Sequence, residues 1–161
     1  MAENLNGKIS EKDLWRWLNL ASTASEIDLK NLHMERIENL VGAGNADVSG
    51  CYMRDYFDIE LKTAERPARA TKAVLRSADD YVRASQKVWH TLRWAAGGNN
   101  FFLIQVGRLK GARRYLIPGC EARRIEDRTE ADFQDMCVVD PRRSPLDFVR
   151  VAAAYRSANL L

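Results

Sequence analysis

Cysteine and histidine are scarce in this chain. Three cysteines (Cys51, Cys120 and Cys137) and two histidines (His33 and His90) are spread over 161 residues. The cysteine count is odd, the spacings are long, and no pair has the short spacing of a zinc knuckle. Neither a disulfide framework nor a structural zinc site therefore organises the fold, and the cysteines read as free thiols of a reducing compartment. Long hydrophobic runs are missing too. No segment approaches the apolar length that crosses a bilayer. The start, MAENLNGKIS, lacks the basic residues and apolar stretch of a secretory leader. The expected location is the cytoplasm. Internal repeats and low-complexity linkers are absent. Neither sign of charge dominates: the net charge is +3, which permits nucleic acid as a partner without specifying one.

What is present is an ordinary globular composition, 46% hydrophobic and 29% charged, enough for one apolar core. One domain over residues 1–161 is expected, with a core of about 10–118 and a helical extension of about 120–161. Residues 10–20 read as a helix capped by Ser10, with Asp13 three residues on and Leu14, Trp15 and Leu18 as its apolar stripe. Ala21 to Leu32 reads as a loop with a helical turn. Gly42-Ala43-Gly44-Asn45 breaks the chain. A hairpin follows: Val48 opens one arm, Met53-Arg54-Asp55 make the bend, and Tyr56 to Thr63 return. A long helix is expected from Asp79 or Asp80 to about Ala96, with Tyr81, Ser85, Val88, Leu92 and Ala95 along one stripe and Gly97 ending it. Phe101–Val106 reads as a central strand and Arg114–Ile117 as a shorter one. Thr129 to Met136 reads as helical, and Ser144-Pro145 starts a last helix through Leu146, Val149 and Ala153. This order predicts an α/β or α+β domain around a small mixed sheet flanked by helices.

The most informative stretch is Asp58-Ile59-Glu60-Leu61-Lys62. On a strand, Phe57, Ile59 and Leu61 share one face, while Asp58, Glu60 and Lys62 share the other. Pairing that sets Asp47 opposite Glu60 centres the turn between Met53 and Arg54, where the bend is expected anyway. Opposed positions on an antiparallel pair have Cβ atoms about 5 Å apart, so both carboxylates reach one cation. A slip of one residue sends one of them to the other face. Carboxylates that hold a hard cation, beside a lysine that orients water or offsets phosphate charge, suit phosphodiester hydrolysis. The competing reading of Glu60 and Lys62 is a solvated strand face with charges paired across the hairpin.

The ordered set of motifs resembles the PD-(D/E)xK nuclease superfamily, and more narrowly the small stand-alone VRR-NUC-type nucleases of phages and bacteria. The set is Arg36-Ile37-Glu38-Asn39, Gly44-Asn45-Ala46-Asp47-Val48, Ile59-Glu60-Leu61-Lys62, Ser85-Gln86-Lys87-Val88-Trp89 and Ala96-Gly97-Gly98 before an apolar strand. The resemblance implies a restriction-endonuclease-like core in which Asp47 and Glu60 bind Mg²⁺ or Mn²⁺; the oxygen coordination such a cation prefers lets the Leu61 carbonyl add a further ligand. It makes Lys62 the catalytic lysine and places Gln86 facing the site. Glu11 and Glu38 become additional candidates. One departure stands out: the family usually has proline before the aspartate, and here it is Ala46.

Arg66, Arg69, Lys72 and Arg76, set against the single acid Glu65, form a lopsided basic loop beside the site and are expected to meet DNA phosphates. No sequence-reading module is evident. The resemblance implies a metal-dependent endonuclease selective for DNA structure, with Holliday junctions or other branched DNA as substrate. A homodimer is expected, in a bacterial or phage-infected cell. A restriction- or nicking-type nuclease and an inactive DNA-binding domain on the same fold are the alternatives.

Overall fold

Ser10 starts the first helix as the sequence suggests. In this computed structural model, which describes residues 10–24, 30–37, 44–76 and 81–158, its hydroxyl accepts a hydrogen bond from the Asp13 amide at 3.2 Å and donates one to the Asp13 carboxylate at 2.6 Å. Helix α1 (Glu11–Asn19) then carries Leu14 and Leu18 onto the sheet, where both are fully buried. Trp17 meets Phe148 edge to face at 5.2 Å.

Five strands follow in the spatial order of the chain: β1 (Leu32–Arg36), β2 (Val48–Tyr52), β3 (Asp55–Ala64), β4 (Asn100–Val106) and β5 (Arg113–Pro118). All neighbours are antiparallel except β3 and β4, which run parallel. That parallel step needs a crossover, and helix α2 (Ala84–Ala95) makes it. Helices α3 (Glu130–Met136) and α4 (Pro145–Ala158) complete the described chain. A mixed sheet with helices on both sides is the α+β architecture that the element order predicts.

The sheet separates two apolar layers. On one side Phe57, Ile59, Leu61, Phe101, Leu103 and Leu116 pack under α1 and α4, with Phe148, Val149, Ala152 and Ala153 closing the layer. On the other, Phe102, Ile104, Val106, Tyr115 and Ile117 pack with Phe133 of α3, Val74, Leu75 and Ile125. Residues beyond 120 therefore supply part of both layers.

Three expectations need correction. Leu32, read as the end of a loop, instead opens an edge strand, Leu32–Arg36, paired to β2; only Leu32 among its side chains is buried, so residues 33–36, which carried no element reading, have little alternation to show. The long helix starts at Ala84, not near Asp79 or Asp80, which lie outside the described residues. Its entrance is fixed by side chains, with the Arg83 amide bonded to Gln86 at 3.0 Å and the Val82 amide to Glu126 at 3.0 Å. The stripe through Tyr81, Val88 and Leu92 faces outward, and α2 buries Gln86 and His90 instead.

Candidate active site

The hairpin register decides the site. Val48 pairs with Ile59, Ser49 with Asp58 and Tyr52 with Asp55, the register that continues to Asp47 opposite Glu60. Met53 and Arg54 form the turn, both with positive φ, at 50° and 79°. Asp47 lies one residue before β2, and its carboxylate accepts a hydrogen bond from the Leu61 amide at 2.8 Å. Its own carbonyl accepts from the Ile37 amide at 2.7 Å. These two bonds hold the segment where the resembling family has proline and this chain has the buried Ala46.

Glu60 sits in the middle of β3 with no exposed surface. Lys62 Nζ lies 2.9 Å from Glu60 Oε1 and 3.7 Å from Glu11 Oε1. Gln86 also donates to Glu60 Oε1, while its own amide oxygen accepts from the Arg83 amide. Glu60 Oε2 is buried and has no hydrogen-bond partner; His90 Nε2, itself unpaired, lies 3.9 Å away. The structure thus brings Glu11, Asp47, Glu60, Lys62 and Gln86 together from α1, the β2 approach, β3 and α2. Glu38 lies outside the described residues.

Electrostatically the cluster is short of positive charge. Burial, then the Glu60 charge, pushes the Asp47 carboxyl up to about 6. Burial also raises Glu60, against the pull of Lys62, and it raises Glu11 against the same lysine. Burial alone would lower Lys62, but the charge and hydrogen bond of Glu60, with Glu11 and Asp47 behind, hold it above the ordinary lysine value. Burial lowers His90 to about 4, so it is neutral near pH 7.

This donor set fits a hard divalent cation. A buried carboxylate oxygen without a partner is costly unless something positive meets it. Among the described residues no group of three or more His, Cys, Asp or Glu side chains is arranged to enclose a metal. Mg²⁺ is commonly held by one or two carboxylates and keeps several waters. Asp47 and Glu60 are the two carboxylates available here.

The remaining expected residues are more dispersed. Asp58 shares the face of Glu60 but pairs with Arg93 at 3.1 Å. Arg66 forks onto Glu130 at 2.8 and 3.0 Å and reaches the Gly111 carbonyl at 3.1 Å, which ties the basic loop to α3. Arg76 lies 3.7 Å from Asp127, both side chains 75% exposed. Arg69 and Lys72 are exposed, in a turn closed by the Lys72 amide on the Arg69 carbonyl at 3.0 Å. Sequence reasoning missed His90 and Asn100. The available signal was the spacing of Gln86 and His90, four apart and so on one helical face.

No family model matches the chain, and no curated protein sequence matches it significantly. Among solved structures, the chain is similar to Archaeoglobus fulgidus Hjc, a Holliday junction resolvase from an archaeal hyperthermophile. The two share 19% sequence identity with a TM-score of 0.45, over 76% of this chain and 88% of that one.

Proposed function

We propose that this protein is a Mg²⁺- or Mn²⁺-dependent endodeoxyribonuclease of the VRR-NUC type, acting on branched DNA such as four-way junctions. One observation carries the reading. The hairpin register forces Asp47 against Glu60 in a buried setting, beside a lysine, and leaves Glu60 Oε2 without a partner. A solvated strand face would leave these groups in water; here Glu60 has no exposure and Lys62 only 8%. Such an arrangement costs stability, and perturbed, clustered titratable groups of this kind mark functional sites.

Asp47 and Glu60 would hold the cation, with the Leu61 carbonyl as a further oxygen donor. When bound, the cation supplies a lowered pKa for water and charge compensation at phosphate. Lys62, anchored by Glu60 and Glu11, presents its ammonium where a phosphate oxygen or the attacking water is to be oriented. Gln86 fixes the Glu60 rotamer through Oε1. Glu11 sets the second anchor of Lys62, and Arg69 and Lys72 offer cations to the DNA backbone.

The test is cleavage of single-stranded, duplex, flap and four-way DNA by purified protein with Mg²⁺. Metal-dependent cutting, strongest on the four-way substrate, is expected. Glu60→Ala and Lys62→Ala should each abolish it while circular dichroism stays native. Undiminished cleavage in either variant sinks the site assignment. Preference for linear duplex instead favours a restriction- or nicking-type enzyme, and metal-independent binding without cutting favours an inactive DNA-binding domain.

A further inference from the structure

We infer that His90 is a positioning residue for the Glu60 carboxylate, locked in that role by Asn100 and Gly119. The inference rests on the metal-dependent reading above and concerns residues that reading does not use.

His90 is fully buried on the inner face of α2. Its ring lies against Phe102, centroids 4.3 Å apart, with Trp89 edge-on at 4.9 Å. Asn100, at the start of β4, donates its amide Nδ2 to the His90 carbonyl at 3.0 Å, and the same nitrogen lies 2.8 Å from His90 Nδ1. A nitrogen that donates to a carbonyl is a donor to the ring as well. Nδ1 is therefore the acceptor, and the ring proton resides on Nε2. That nitrogen lies 3.9 Å from the unpaired Glu60 Oε2.

The brace extends one residue further. A Cβ on Gly119 would stand 2.1 Å from Asn100 Nδ2, so a side chain there would displace the amide that sets the tautomer. Gly119, Asn100, His90 and Glu60 form a line that ends on the free carboxylate oxygen. Space filling alone does not account for it: a phenylalanine would fill the slot between Trp89 and Phe102 without burying an unpaired N–H, which is unfavourable. The two Glu60 oxygens thereby have separate tasks. Oε1 is held by Gln86 and Lys62, while Oε2 stays free and is oriented by the His90 dipole toward a cation. Outer-shell partners of ligating groups act in this way.

The experiment is Mn²⁺ binding by calorimetry on the full chain, with thermal melts to establish folding, for wild type, His90→Phe, His90→Gln and Gly119→Ala. His90→Phe keeps the ring packing and should weaken Mn²⁺ binding about 10–100-fold, the usual effect of losing an outer-shell partner. His90→Gln, whose amide reaches toward the Nε2 position, should recover most of that loss. Gly119→Ala, where the added Cβ meets Asn100 and not Asp47 or Glu60, should weaken binding in the same direction. Nitrogen NMR of the metal-free wild type should show the Nε2–H tautomer. Wild-type affinity in a folded His90→Phe, or an Nδ1–H tautomer, overturns the inference and leaves the nuclease reading standing. If His90→Phe does not fold, Gly119→Ala and the tautomer decide, and wild-type affinity in a folded Gly119→Ala overturns the inference equally. A wild type that binds no Mn²⁺ overturns the metal reading itself, and the inference with it, before any substitution is made.

Discussion

Asp47 is held in the fold against its own charge preference. Its carboxyl sits at about 6 instead of 3.8 because burial and Glu60 disfavour the anion. The folded state thus binds that proton more tightly than the unfolded one. The stability this provides is complete below about pH 4 and is lost as the pH rises through about 6. Asp47→Asn keeps an oxygen for the Leu61 amide and removes the titration. Without metal it should therefore stabilise the protein near neutral pH by about 1–3 kcal/mol, at roughly 1.4 kcal/mol per pK unit, and by almost nothing near pH 4. Urea melts at the two pH values read this directly. Millimolar Mg²⁺ should reverse the order, because a ligand that binds only the folded wild type adds to its stability alone. An Asn variant no more stable than wild type at neutral pH would mean that Asp47 is better solvated than the fold indicates.

At the scale of elements, the β2–β3 hairpin carries most of the candidate site, and its turn is its weak point. Met53 and Arg54 both adopt positive φ, which two-residue hairpin turns require and which Asn-Gly supplies with least strain. An L-residue in that region costs roughly 1–2 kcal/mol. Arg54→Gly should therefore raise stability by about 1 kcal/mol in chemical denaturation and leave metal affinity unchanged, since Leu61 still fixes Asp47 from the far end. A loss of Mg²⁺ binding would show that the turn, not the ladder, sets the register. This hairpin was legible in the sequence because alternation along Phe57–Lys62 and a bend at Met53-Arg54 impose one register. The α2 face was not legible. Hydropathy favours Tyr81, Val88 and Leu92, which are 49%, 59% and 65% exposed. Gln86 and His90 are buried because Glu60 and Asn100 stand opposite them, and a polar group becomes tolerable inside only when its partner is known. Strand β1 failed for a related reason: its pairing to β2 is tertiary, and a single buried side chain leaves no period to detect.

Over the whole molecule, the basic loop after β3 holds cations of two kinds, bonded and exposed. The loop after β3 is stapled where it leaves the strand, at the adjacent residues Glu65 and Arg66. Arg66 bonds Glu130 of α3, and Glu65 bonds Arg108 beyond β4 at 2.8 Å. Glu130 also accepts from the Tyr115 hydroxyl at 2.8 Å, so the staple reaches into the second apolar layer. Arg66 therefore spends its guanidinium on the fold, whereas Arg69 and Lys72 stand outward from the loop that Arg66 secures. These two kinds of cation should separate in DNA binding. Each duplex phosphate deprived of its cationic side chain flattens the slope of log affinity against log salt by about 0.9. Charge reversal at Arg69 and Lys72 together should thus weaken binding and reduce the slope by about 2, with thermal stability unchanged. Glu130→Gln, which leaves the charges of the loop itself untouched, should instead lower the melting temperature and leave the slope as it was. A slope unchanged by the Arg69 and Lys72 reversals would move the DNA path off this loop. A slope flattened by Glu130→Gln would mean that loop order, rather than local charge, is what the phosphates read.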